Sequence, residues 1–176
     1  MNLWHDLSLG EKAPEEFRVI IECPKGSKNK YEIDKETGLI TLDRAMKTSQ
    51  DYPFDYGFAP QTLWEDNDPL DVVVLSTYPL YPGILLVVRP IAVMRIVDCG
   101  EGDDKIMAVP VKDPRWDEIT ELSHINKHFL KEVQHFFETY KSIENEVVAI
   151  SGIDGKEKAI ETVEKSIKLY KEKFGK

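Results

Sequence analysis

The residues Asp66-Asn67-Asp68-Pro69-Leu70-Asp71 run directly into the apolar stretch Val72-Val73-Val74-Leu75. Pro69 lacks an N–H and has a locked φ, so the acidic segment reads as a rigid turn at the mouth of a buried strand. Three carboxylates are thereby confined to six residues. If they converge to about 4 Å, each pair repels by roughly 4 kcal/mol at an effective dielectric of about 20. Such a cluster must bind a cation, take up protons or point its members apart. A hard divalent metal with oxygen ligands resolves the repulsion; a solvated Asp/Asn-rich turn is the other reading of the same residues. The EF-hand form of the metal reading fails, because Asp71 and Thr77 stand where that loop needs Gly and Glu. Any metal must draw further ligands from elsewhere in the chain.

With 176 residues the chain is read as one domain, 1–176, large enough to bury a substantial core. Its net charge of −9 argues against a general nucleic-acid binder and suits a site that concentrates cations. Cys23 and Cys99 have no metal-ligand spacing and are read as reduced thiols with packing roles. The first ten residues carry no signal-peptide pattern, and no apolar run approaches the length of a membrane span. A cytoplasmic protein with no membrane partner is expected.

Residues 17–22 read as a strand that ends at the turn Pro24-Lys25-Gly26-Ser27. Residues 30–34 and 39–44 read as a hairpin around Lys35-Glu36-Thr37-Gly38, with Lys30, Glu32 and Asp34 on one face. Residues 51–60 hold too much Pro, Gly and aromatic character for a regular element, so an ordered loop lined by Tyr52, Phe54, Tyr56 and Phe58 is expected. The run Ile84–Val97 is broken at Arg89-Pro90 and reads as two strands or one strongly bent one. A second acidic segment, 98–105, lies between that run and the strand beginning at Ile106. Two acidic loops at strand ends can meet in a barrel. Asp113-Pro114 has the form of a helix start. The spacing of Ile125, Phe129, Val133, Phe136, Phe137 and Tyr140 predicts an amphipathic helix over about 122–141. His124 and His128 lie four apart but lack a third ligand, and are read as surface histidines. Residues 151–155 read as a turn, and Ile160 to Phe174 as a last helix. The order implies an α+β fold: a small, closed, mostly antiparallel β-barrel with flanking helices, two main helices lying at the C-terminal end.

The heptad 66–72 resembles the signature of the family I soluble inorganic pyrophosphatases, prokaryotic type. The likeness extends through Val-Ile-Ile-Glu at 19–22, Lys-Tyr-Glu-Ile-Asp at 30–34, Asp43-Arg44, Tyr52-Pro53 and Asp55-Tyr56-Gly57. It continues through Tyr78-Pro79, Pro82-Gly83, Arg89-Pro90, Ala108-Val109-Pro110 and His135 to Lys141. This resemblance implies an OB-type barrel, several Mg²⁺ ions and cleavage of pyrophosphate to two phosphates. It implies Asp66, Asp71 and Asp103 as ligands of an activating metal, Asp98 and Asp103 of one arriving with substrate, and Glu32 of a further one. It implies Asp68 as the base that takes the proton of the attacking water. Lys30, Arg44, Tyr56, Lys105, Tyr140 and Lys141 match the substrate-binding set, with Glu22 supporting the cavity and Tyr52 lining it. A homohexamer of two trimers, with the C-terminal helical region as interface, is likewise implied.

The chemistry is consistent with these residue types. Pyrophosphate repels an anionic nucleophile, and paired divalent cations both shield that approach and acidify a water. Carboxylates suit the small, hard Mg²⁺ ion. Arginine offers a bidentate clamp for phosphoryl oxygens, and lysines act as point charges. Two other readings compete: an OB-fold module stacking single-stranded nucleic acid on the aromatics of 52–58, and a hydrolase of another phosphoanhydride.

Overall fold

The computed structural model describes residues 1–175. In chain order the strands are β1 (Phe17–Cys23), β2 (Asn29–Ile33), β3 (Ile40–Ala45), β4 (Asp55–Phe58), β5 (Asp71–Val74), β6 (Leu85–Asp98), β7 (Glu101–Gly102) and β8 (Lys105–Pro110). Helix α1 (Lys127–Thr139), β9 (Val148–Gly155) and helix α2 (Lys156–Phe174) follow. Five strands close on themselves: β1 pairs β4, β4 pairs β5, β5 pairs β8, β8 pairs β6, and β6 returns to β1. Every step is antiparallel except β5–β8. The expected α+β barrel is therefore present, with β2–β3 forming a separate two-stranded sheet beside it.

The apolar strands are continuous because both of their faces are covered. On β5 and β8, Val72, Val74, Ile106 and Ala108 join a cluster with Ala159 and Val163 of α2. Their neighbours Val73, Met107 and Val109 join a second cluster with Val133, Phe136 and Phe137 of α1. The Arg89-Pro90 interruption bends one long strand instead of dividing it. Register against β8 slips between Pro90 and Ala92, where Pro cannot donate to the ladder.

Several expectations are corrected. Residues 51–60 contain a regular strand, β4, which lies between β1 and β5. Gly57 makes this possible: a Cβ there would lie 1.9 Å from the Ile20 carbonyl oxygen, so glycine admits the close approach of β1. Residues 151–155 belong to β9 and not to a turn. Strand β6 extends past β8, and its residues Ala92 to Asp98 supply a ladder for β9 despite the Ser, Gly and Asp content. Helix α1 begins at Lys127, later than predicted, because Asn126 caps it by accepting from the N–H groups of His128 and Phe129. Asp113-Pro114 does start a helical turn, but only the short 3-10 turn Pro114–Trp116. His124 and His128 are both exposed, and Cys23 and Cys99 are both free thiols. No helix among the described residues is long and apolar enough to cross a membrane.

Candidate active site

The turn 66–70 is built by local hydrogen bonds. Asp66 Oδ1 accepts from the Asp68 N–H at 3.0 Å, Asn67 takes a left-handed φ of 68°, and the Trp64 N–H donates to the Asp68 carbonyl at 2.7 Å. Buried Leu70 anchors the turn in the core. Asp71 then opens β5 beside Lys105, its register partner on the parallel strand β8. The second acidic segment is a tight hairpin between β6 and β7. Cys99 and Gly100 both have positive φ, as a two-residue turn of the primed type requires. The next two acids point apart: Asp103 enters the cavity, whereas Asp104 binds Arg95 at 2.7 Å.

These loops meet the β2–β3 hairpin and the C-terminal end of α1 around a cavity of about 280 Å³. Its wall carries the carboxylates of Glu22, Glu32, Asp66, Asp68, Asp71, Asp98 and Asp103 and the cations of Lys30, Lys35, Arg44, Lys105 and Lys141. Tyr31, Tyr56 and Tyr140 also line it. Of the residues singled out in the sequence, only Tyr52 stays off the wall. It is 2% exposed and packs on Phe136, with its ring 5.9 Å from that of Tyr56. The family resemblance implied that Tyr52 lines the cavity; it packs instead in the core behind the wall.

The acids and bases interlock. Lys105, 3% exposed, donates to Asp71 at 2.7 Å and to Asp103 at 2.8 Å. Its ammonium also stands 5.5 Å from the ring centres of Tyr56 and Phe137. Lys30 bridges Glu32 at 2.6 Å and Asp43 at 2.9 Å, and Asp43 also receives Arg44 at 2.6 Å. Lys141 reaches Asp98 at 2.6 Å and Glu146 at 3.3 Å. Glu22, buried in β1, accepts from the Ile33 N–H at 2.7 Å and so ties the hairpin to the barrel. Sequence reasoning missed Asp43 as a partner of two site cations. It also missed Lys35, taken as a turn residue, whose ammonium pairs directly with Asp68. Glu146 was missed as well; no local pattern marks it.

Negative charge is nevertheless in excess. Burial, reinforced by Asp71, Asp103 and Asp68, pushes the Asp66 carboxyl up to about 7. Burial and then Asp71 raise Glu22 well above the carboxylate range, and burial raises Asp103. Burial also works against the charge on Lys105, yet Asp71 and Asp103 overcome it and hold the ammonium above the usual lysine range. One oxygen of Asp98, Oδ1, is buried without a hydrogen-bond partner. An all-carboxylate donor set with raised acids and an unsatisfied oxygen fits a hard divalent cation. The interleaved lysines and arginine fit a small polyanion.

A family model described as inorganic pyrophosphatase matches residues 19–171. Soluble inorganic pyrophosphatase 1 of Arabidopsis thaliana is 48% identical over 169 residues, covering 96% of this chain and 80% of the relative. The inorganic pyrophosphatase of Haloferax volcanii is 44% identical over 175 residues, covering 99% of each. The crystal structure of inorganic pyrophosphatase from Thermus thermophilus superposes with a TM-score of 0.93 at 44% identity, covering 97% of this chain and 99% of that one. Barrel, acidic cavity and likeness along nearly its whole length agree: the chain belongs to the inorganic pyrophosphatase family.

Proposed function

We propose that the chain hydrolyses inorganic pyrophosphate to two phosphates in this cavity. The observation that carries the reading is the convergence of seven carboxylates and five cations on one small polar pocket, in a member of this family. Asp66, Asp71, Asp98, Asp103 and Glu32 are the residues that would hold divalent cations, Mg²⁺ foremost. When bound, such ions neutralise substrate charge and acidify water.

The chain's own groups do the rest. Asp68 accepts the proton of the water that attacks phosphorus, and the bridging oxygen departs with the second phosphate. General-base assistance of this kind supplies about 10²- to 10⁴-fold. Lys30, Arg44, Lys105 and Lys141 take the phosphoryl oxygens, and Tyr56 and Tyr140 add hydroxyl donors. Glu22 keeps the β2–β3 hairpin in place through the Ile33 N–H, and Tyr52 supports Tyr56 from behind. The same reading takes the chain as a single domain that works in the cytoplasm as a homohexamer. Sedimentation at micromolar concentration tests the assembly.

Phosphate release from pyrophosphate and from a nucleoside triphosphate, each with and without chelator, tests the activity. Chelator-sensitive release from pyrophosphate alone is expected. Equal release from the triphosphate would instead assign a broader phosphoanhydride hydrolase.

A further inference from the structure

We propose that Lys35 is a further substrate-contacting residue: a mobile cation that leaves Asp68 for a phosphoryl oxygen when pyrophosphate enters. The inference rests on the hydrolytic reading above and deepens it.

All five cavity cations pair with acids of the wall and its rim, and Lys30, Lys105 and Lys141 each hold two carboxylates. Lys35 differs in its surroundings. Its side chain is 53% exposed and its partner Asp68 is 45% exposed, and the pair joins the β2–β3 hairpin turn to the acidic turn 66–70. An ion pair this open to solvent is worth less than about sixfold in an equilibrium. A charge-assisted contact to a phosphate oxygen is worth roughly 10- to 100-fold. An arriving anion therefore outcompetes Asp68 for this ammonium. The same comparison leaves Lys105 where it is, because its two carboxylate contacts are buried.

The backbone that carries Lys35 is pinned, so only the flexible side chain has to move. Asp34 Oδ1 accepts from both the N–H and the hydroxyl of Thr37, each at 2.6 Å, and the Gly38 N–H donates to the Asp34 carbonyl at 2.7 Å. Asn2 lies where a side chain on Gly38 would stand, its Cα 2.5 Å from that position. The Leu3 N–H donates to the Gly38 carbonyl at 3.3 Å. Trp4 packs with Ile33 in one cluster, with Ile40 against it. A long side chain on a fixed platform at the cavity mouth has reach with little backbone cost. Its departure also releases the base: Asp68 loses its counter-ion only when substrate is present to take it.

The test compares wild type, Lys35→Met and Lys35→Arg in saturating Mg²⁺. It measures steady-state hydrolysis and the binding of methylenediphosphonate, a non-hydrolysable analogue, by calorimetry. For Lys35→Met, KM and the analogue's Kd should both rise about 10- to 100-fold while kcat holds, the pattern of a contact made equally in ground and transition states. Lys35→Arg should recover most of the loss, and the melting temperature should not move. An analogue affinity within twofold of wild type overturns the proposal. So does a Lys35→Met variant with lower KM or raised kcat, since Lys35 would then be an inhibitory partner of Asp68. A wild-type chain that releases no phosphate from pyrophosphate counts against the hydrolytic reading, and the analogue titration still decides whether Lys35 makes the contact.

Discussion

Lys105→Met isolates the charge balance of the site. Met preserves most of the side-chain volume, so little beyond the ammonium is lost. What remains is Asp71 and Asp103 facing each other without the cation that held both at 2.7–2.8 Å. Removing one partner of a buried ion pair costs about 3–5 kcal/mol. For a chain of this length each kcal/mol is worth about 2–4 °C, so Tm should fall by roughly 6–20 °C. The loss depends on pH, because the stranded Asp103 carboxyl escapes by binding a proton. Burial already raises the Asp103 carboxyl against the lowering effect of Lys105, and losing that ammonium raises it further, so the folded variant holds a proton that the unfolded chain has released above about pH 4. Stability of the variant thus falls as pH rises through the folded pKa: the deficit is small near pH 5 and full near pH 8. A divalent cation on the same carboxylates replaces the missing charge. Melting curves in chelator at both pH values, then in millimolar Mg²⁺, measure this at equal protein concentration. Mg²⁺ should restore more Tm to the variant than it adds to wild type. A variant as stable as wild type at pH 8 in chelator, or equal Mg²⁺ stabilisation of both proteins, refutes the reasoning.

Three further outcomes are expected. Asp68→Asn should lower kcat by about 10²- to 10⁴-fold with KM and Mg²⁺ affinity little changed, measured by phosphate release and calorimetry; near-normal turnover removes Asp68 from the reaction. Because Asp66 holds its proton up to about 7, Mg²⁺ must displace that proton below this pH. Affinity should therefore strengthen as pH rises from 6 to 8, and a flat titration series would contradict the assigned environment of Asp66. Gly57→Ala drives a methyl group against the Ile20 carbonyl and should lower stability by about 1–3 kcal/mol or more, read as denaturant midpoint, with an unshifted midpoint counting against the β1–β4 approach.

Most of the barrel was legible because its strands are apolar on both faces and are punctuated by Pro and Gly. Strand β9 was not, since its ladder depends on the length of β6, a property of a different segment. Its Asp154 is held by Arg95 at 2.8 Å, a contact 59 residues away in sequence. Strand β4 was hidden for the opposite reason: the glycine that breaks strand propensity is the residue that lets β1 pair with it. The start of α1 was misplaced because Ile125 continues the helical period while lying just outside the helix that Asn126 caps.

The site divides along the same line, by how far apart its contacts lie in sequence. Extended backbone puts residues i and i+2 on one side, and two of the ion pairs have this spacing: Lys30 with Glu32 at 2.6 Å, and Asp103 with Lys105 at 2.8 Å. The Asp66–Asp68 contact that shapes the acidic turn spans the same interval. Those contacts could be anticipated from alternation alone. Lys141 with Asp98, 43 residues apart, and Lys35 with Asp68 cross between elements and follow only from the closed barrel. The two kinds of contact also differ in what substrate can do to them. Lys105 binds Asp103, two residues before it in the chain, and Asp71 on the parallel neighbour, and burial fixes it there, so it sets the charge of the cavity before any anion arrives. Lys35 comes from the exposed turn of the β2–β3 hairpin, and the weakness of its solvent-open pairing is what leaves it free to exchange partners. A polyanion entering this cavity thus meets one cation that cannot move and one that can.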